Sequence, residues 1–503
     1  MENRISSAHP SFGNCVGCYD GQDFAAVLSR CFFAFKNLIE LGNELTEDHG
    51  SLPSAITLAE VLRLSIVTCQ YSNVVLPKWA ESLLPLCARE GRLVAVLRIV
   101  IMRKRAQDLG LTWRIHRRSI NIALLVAAGL GQVIAAIPSA KAQVLSTVTL
   151  YGFKGGNDGA VPLGDLVRDS AGNFYGTTRV GGTFRIGTVF KLDTTGTETI
   201  LHSFAGGADG VYPEAGLFRD AAGNLYGTTL NGGSACSCGT VFKIDASGTE
   251  SVLYSFLGGT DGANPFGGVI RDAAGNLYGT TETAGSTSNY GIVFKLDTTG
   301  KETVLYRFAG GPDGAFPNSS LVRDAAGNLY GTTTGGGTSN YGTVFKLDTT
   351  GKETVLYRFA NGTDGAYPFA GLILDNAGNL YGTTQFGGTS NFGTVFKLDT
   401  TGTETVLYSF GQRPNGEYPV ARLIRDAAGN LYGTTSGGGL GLFGYGTVFK
   451  LDTTGKETVL HKFAGSDGSG PVAGVVRDSA GNLYGTTEYG GNSRLGTIFR
   501  VGP

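Results

Sequence analysis

Histidine is almost missing from this chain: five occur in 503 residues, and beyond residue 143 only His202 and His461. Both stand where other copies of a repeated segment carry tyrosine, such as Tyr254 and Tyr306, so they read as packing substitutes and not as acid–base groups. Charge is also scarce. Asp, Glu, Lys and Arg make up 16% of the chain, 40 basic residues against 41 acidic, and no basic stripe runs through the repeats, which excludes nucleic acid as a partner. Neither a Gly-x-Ser-x-Gly elbow nor a phosphate loop is present. Of seven cysteines, five precede residue 143; Cys236 and Cys238 are too near in sequence for an easy unstrained disulfide and read as a free or structural pair without a metal. Methionine and tryptophan occur twice each, all before residue 143.

What the chain has in abundance is glycine, 80 residues, and a repeat. Tyr-Gly-Thr-Thr starts at Tyr175, Tyr226, Tyr278, Tyr330, Tyr381, Tyr432 and Tyr484, always 51 or 52 residues apart. Repeats of this length, rich in glycine and in β-branched and aromatic residues, are blades of a propeller, small sheets that cannot bury their faces alone. Each unit divides into four strand-like pieces, as in Ala215 to Asp220, Asn224 to Thr229, Gly239 to Asp245 and Ser251 to Phe256. Asp220 to Asn224 and Asp297 to Lys301 place Asp and Gly where type I turns need a cap and a left-handed residue. The glycine of Tyr-Gly-Thr-Thr reads as a point of close approach. The Arg-Asp pair that ends strand one, as in Arg219-Asp220, recurs in six units and reads as a ring of ion pairs rather than an anion channel. Val148 to Phe153 match a fourth strand before the first unit, and Gly496 to Val501 match a third strand after the last. The expectation is an all-β, seven-bladed propeller with four strands per blade, closed by a 3+1 seam between the terminal strands.

Residues 1–142 have another character, with nine of the glycines. A basic stretch, Met102 to Arg118, precedes the apolar run Ile120 to Ile137 and the small residues Ser139 to Ala142. That is a secretory signal at 102–142, with a retained anchor as the alternative. If Met102 starts the protein, residues 1–101 are an upstream extension; a small helical segment around Leu62 to Leu97 is the other reading. Cys15 and Cys18 lack a second ligand pair, so they are not a zinc site. Residues 143–503 form the propeller.

The segments Gly327 to Thr333 and Gly342 to Asp348, with their copies, resemble the GloVer tandem repeat of secreted bacterial proteins. The resemblance implies a secreted or periplasmic bacterial protein and no defined activity. A fainter likeness, in Asp-x-x-Gly-Asn-Leu-Tyr, is to NHL and streptogramin-lyase propellers, but the lyase's catalytic histidine has no counterpart here.

Strand alternation puts the Asp-x-x-Gly turns on one face and the variable loops on the other, where propellers bind. That face carries two aromatic series: Tyr290, Tyr341, Phe392 and Tyr445 before strand three, and Tyr212, Phe316, Tyr367 and Tyr418 before the loop proline. Aromatic platforms among small polar residues suit a polysaccharide or a protein ligand; the alternative is that they plug the gaps between blades. Asp158, Asp209, Asp261, Asp313, Asp364 and Asp467 read as turn caps, with calcium the lesser reading because each loop offers one carboxylate. The expectation is a monomeric, non-catalytic binding protein with no cofactor and, after signal cleavage, no membrane span. A carbohydrate-active hydrolase or lyase is the alternative, resting on Glu282 and Glu488, which follow Tyr-Gly-Thr-Thr in blades three and seven.

Overall fold

A computed structural model describes residues 147–284, 289–411, 415–440 and 444–502. The expectations for residues 1–101 and for the signal at 102–142 lie outside the described residues. The described chain folds into seven four-stranded antiparallel sheets arranged as a propeller. Blade one comprises Val167–Arg168, Phe174–Thr178, Thr188–Leu192 and Glu198–Ser203, and blades two to six repeat that order. In the seventh sheet Thr147–Gly152 lies outermost, paired antiparallel with Thr497–Val501 from Thr147 opposite Val501 to Gly152 opposite Thr497. Among the described residues there is no α-helix, and none that is long and apolar enough to cross a membrane.

The repeated motif is explained residue by residue. In blade two, Asp220 accepts hydrogen bonds from the Asn224 backbone (2.9 Å), the Asn224 amide (2.9 Å) and the Tyr226 hydroxyl (3.2 Å), while Gly223 takes a φ of 90° to close the turn. Asp-x-x-Gly-Asn-Leu-Tyr is therefore one hydrogen-bonded clamp. Because this carboxylate is saturated, the arginine beside it does something else. Arg219 lies over the Tyr175 ring of the preceding blade at 5.4 Å, and Arg271, Arg425 and Arg477 stack likewise on Tyr226, Tyr381 and Tyr432. The expected ring of Arg-Asp ion pairs is corrected: four of the six arginines instead make cation–π contacts between blades.

The two threonines of Tyr-Gly-Thr-Thr have separate tasks. Thr177 donates to the Ala215 carbonyl of the next blade at 2.9 Å, and Thr434 to Ala473 at 2.9 Å; Thr178 is tied to Thr188 across the same sheet at 2.7 Å. Only the last inner threonine, Thr486, is buried without a partner among the described residues. Apolar clusters fill each gap between blades, organised around an edge-to-face phenylalanine pair, such as Phe204 with Phe242 at 5.2 Å and Phe308 with Phe345 at 5.1 Å.

The glycine in the motif is where that packing leaves no room. A Cβ on Gly331 would sit 2.6 Å from Cζ of the buried Phe345 ring and 2.9 Å from Leu321. Gly331→Ala is expected to lower stability by about 1–3 kcal/mol, the cost of overpacking a filled core, read as a fall in the denaturant midpoint at constant m-value. An unchanged midpoint would refute the close approach.

Cys236 and Cys238 are joined as a disulfide, with Cα atoms 5.2 Å apart, which corrects the expectation of an unbridged pair. Ser237 between them adopts a left-handed φ of 59°, folding the loop back so that the sulfurs meet.

Candidate functional site

The site is built by a strained backbone position. Immediately before the loop proline, the residues of blades one to six are left-handed without being glycine: Val161, Tyr212, Asn264, Phe316, Tyr367 and Tyr418, with φ between 54° and 61°. Each costs on the order of 1–2 kcal/mol. Backbone hydrogen bonds on both sides hold them, as where Tyr367 donates to Tyr341 O at 2.9 Å and accepts from Gln385 N at 3.1 Å. The chain is thereby turned toward the axis, and the residue after each proline meets its six counterparts at the mouth of the central channel.

Those seven residues, Leu163, Glu214, Phe266, Asn318, Phe369, Val420 and Val472, all line a cavity of about 340 Å³ on the variable face, at the small end of the range for ligand pockets. Gln385, Ser436 and Glu488, which follow Tyr-Gly-Thr-Thr, complete the rim. Small residues make the floor: a Cβ on Gly268 would be 2.6 Å from Gly216 O, and the Gly268 amide donates to Ser320 Oγ at 3.0 Å. Beside it Arg422 reaches Asp165 (3.6 Å), which also accepts from the Gly474 amide at 2.6 Å.

The walls differ in chemistry. On one side Phe266 and Phe369 stand edge to face at 5.4 Å. On the other, Glu214 is only 8% exposed and pairs with Arg179 Nε at 2.8 Å. Burial raises the Glu214 pKa, the Arg179 charge opposes the rise, and the charges of Glu488 and Glu282 add to it. Glu282 is raised as well, by burial, against a hydrogen bond from the Asn318 amide. Asn318 is 9% exposed, and its own carbonyl oxygen has no partner among the described residues. The buried amide oxygen of Asn318 and the carboxyls of Glu214 and Glu488 share this cavity with the aromatic pair, and such a lining can recognise a ligand that is both hydroxylated and partly apolar.

None of the eight aromatic residues expected from sequence borders this cavity. The two series instead meet each other between blades: Tyr290 with Phe316 at 5.8 Å, Tyr341 with Tyr367 at 5.6 Å and Phe392 with Tyr418 at 5.6 Å. Tyr290, Tyr341, Phe392 and Tyr445 pack against the inter-blade clusters while remaining partly exposed. Tyr212 is linked to the cavity indirectly, beneath the Arg179 guanidinium at 5.5 Å. Glu488 lines the cavity, and Glu282 reaches it through Asn318 and Glu214. The residues missed by sequence reasoning share one signal. The position after the loop proline reads Leu, Glu, Phe, Asn, Phe, Val and Val through seven otherwise uniform units.

The six loop aspartates cap their loops, as their place before glycine led us to expect. Asp261 accepts from Leu257 N at 2.8 Å and from the Tyr254 hydroxyl at 2.9 Å, and its counterparts take the same backbone bond.

Comparison with solved structures returns propellers at low identity. A fungal alcohol oxidase of the AA5 family in complex with copper aligns over 72% of this chain and 77% of its own, at 16% identity and a TM-score of 0.47. An extracellular domain from B. thetaiotaomicron assigned to a one component system aligns over 71% of this chain at 12% identity and a TM-score of 0.45, and the chain spans 40% of it. A gluconolactonase from Xanthomonas campestris aligns over 68% of this chain and 97% of its own, at 18% identity and a TM-score of 0.36. No curated protein matches the chain in sequence. The model of the Gloeobacter/Verrucomicrobia repeat, by contrast, matches twice, at residues 136–343 and 317–503, and together these matches cover the whole propeller. The chain belongs to the Gloeobacter/Verrucomicrobia repeat family.

Proposed function

We propose that this propeller is an exported, non-catalytic binding protein that holds a carbohydrate in the mouth of its central channel. One observation carries the reading: a single cavity is lined both by the Phe266–Phe369 pair and by the polar groups of Glu214, Asn318 and Glu488. Sugar rings offer an apolar face for stacking and hydroxyls for carboxylate and amide acceptors, so both walls are used at once. The cavity suits one or two sugar units, a chain end or a short branch, and the exposed rim loops would meet the rest of a polysaccharide. The rim aromatics then act by fixing the loops. Glu282 and Glu214, both shifted toward the protonated form, favour hydrolysis as the second reading, since an acid of that kind can protonate a glycosidic oxygen.

The test is a glycan panel followed by calorimetric titration of the best ligand against Phe369→Ala, Glu214→Gln and Tyr341→Ala. The two cavity variants are expected to weaken binding at least about tenfold, or about 1.4 kcal/mol, while Tyr341→Ala leaves affinity within about threefold and lowers only stability. Loss of binding in Tyr341→Ala alone would move the site to the rim aromatics. Turnover of an aryl glycoside that Glu282→Gln abolishes would replace binding with catalysis.

A further inference from the structure

At the outer rim, five of the seven blade junctions carry a recurring trio: the second-last residue of strand four, the aspartate of the following loop, and the glutamate that opens strand four of the next blade. Four junctions assemble it around a phenol, with Tyr151, Tyr254, Tyr306 and Tyr357 each donating to Asp158, Asp261, Asp313 and Asp364. Burial and the charges of those aspartates act on the facing Glu198, Glu302, Glu353 and Glu404. The junction between blades one and two replaces the phenol with an imidazole. His202 Nε2 lies 3.0 Å from Asp209 Oδ1, and Glu250 completes the trio so that one ligand-type atom from each residue lies within 4.8 Å of the others. All three side chains are partly buried, and Glu250 Oε1 is shielded from solvent with no hydrogen-bond partner among the described residues.

We propose that His202, Asp209 and Glu250 bind one divalent transition-metal ion of the zinc class, which clips blade one to blade two. One imidazole nitrogen and two carboxylates are a borderline donor set that suits zinc and its neighbours, and three protein ligands leave a fourth position for water. Calcium is disfavoured, because it takes six to eight oxygens and little nitrogen. The ligands are nearly in place. Tetrahedral coordination at about 2.0–2.1 Å puts donor atoms roughly 3.3 Å apart; His202 and Asp209 are already near that spacing, and the distances to Glu250 need to shorten by at most about 1.5 Å, within the reach of a glutamate rotamer.

The remaining junctions act as internal controls, and the one between blades five and six, with Tyr408 and Asn415, lacks both the nitrogen ligand and the loop carboxylate. Phenols are poor ligands for zinc at neutral pH, so the four tyrosine junctions keep both acids and lack the nitrogen. The junction between blades six and seven has the imidazole but lacks the glutamate. There His461 contacts Asp467 at 2.8 Å and, through its other nitrogen, Thr147 Oγ1 at 2.8 Å. Among the described residues no other group of three His, Cys, Asp or Glu side chains comes together in this way.

The experiment uses the full chain, untagged, stripped with EDTA and kept oxidised so that Cys236 and Cys238 stay bridged. Zinc sulfate is titrated calorimetrically against the wild type, His202→Tyr and His461→Tyr, with magnesium and calcium chloride as controls. His202→Tyr restores the residue found at the sibling junctions and is expected to fold, with an unchanged thermal midpoint in EDTA. The wild type should bind one equivalent more than His202→Tyr, with a Kd near or below about 10 µM, and zinc at about 100 µM should raise the thermal midpoint of the wild type but not of His202→Tyr. His461→Tyr should keep that equivalent. Equal zinc stoichiometry in wild type and His202→Tyr overturns the proposal, as does loss of the equivalent in His461→Tyr or saturation by calcium at the same concentration.

Discussion

Removing Gln143 to Gly155 is expected to abolish cooperative unfolding and to drive the protein into soluble oligomers or aggregate. The segment supplies the outermost strand of blade seven, antiparallel to Thr497–Val501, and Phe153, which is 1% exposed and packs on Phe190 of blade one at 5.3 Å. Phe153 belongs to the cluster with Leu166, Phe174, Phe190 and Ile498, so one short strand joins the first and last blades. Losing a buried phenylalanine alone costs about 3–5 kcal/mol, and losing the ladder and the cluster as well approaches the whole stability of a typical domain. The deletion also bares the edge of Thr497–Val501, a ready template for another chain. A graded control separates the two effects. Phe153→Ala should remain monomeric and lose about 3–4 kcal/mol, because the cavity forms but the strand stays. A deleted chain that is monomeric with the wild-type midpoint would show that the terminal strand is dispensable.

The fold was legible because every unit states it again. Asp220, Asn224 and Tyr226 are close in sequence and make a local clamp, so spacing alone announces the hairpin. The candidate site was harder to read because it is assembled by rotation. Glu214, Phe266, Asn318 and Phe369 lie about one repeat apart along the chain and touch only because the blades circle an axis. No local pattern links them beyond their failure to match one another. The aromatic series drew attention for the opposite reason. Tyr341 and Tyr367 recur conspicuously, and recurrence in a propeller marks what every blade needs, which is packing between neighbours. Variation at one fixed position is what marks the lining of the cavity. His202 illustrates the same point: in sequence it is a tyrosine substitute, and only its approach to Asp209 and Glu250 gives that substitution a chemistry.

The stability of the propeller should peak in mildly acid solution and decline from there toward neutrality. Glu198, Glu302, Glu353 and Glu404 each open a fourth strand, and burial, reinforced by the neighbouring Asp158, Asp261, Asp313 or Asp364, pushes each up to about 7. Two carboxyls that share a half-buried junction cannot both ionise cheaply, so the glutamate keeps its proton in the folded state. In the unfolded chain a glutamate titrates near its ordinary value. Between roughly pH 4.5 and 7 the folded state therefore binds more protons, and stability falls as pH rises across that window. Because these side chains are only half buried and partly screened by solvent, each contributes under about 1 kcal/mol, or about 3 kcal/mol for the four. The acid limit is set by other groups. Asp220, Asp272, Asp324 and their equivalents are lowered because hydrogen bonds from asparagine and tyrosine outweigh the effect of burial, so their contribution is lost as pH falls below the usual carboxylate range. Thermal melts in EDTA at matched ionic strength should show a midpoint several degrees higher at pH 5.5 than at pH 7.5. A fourfold Glu→Gln variant at these positions should flatten that slope, since glutamine can donate to the aspartate at any pH. A midpoint that rises steadily from pH 5.5 to 7.5, or a slope untouched by the four substitutions, would refute proton retention at the blade junctions.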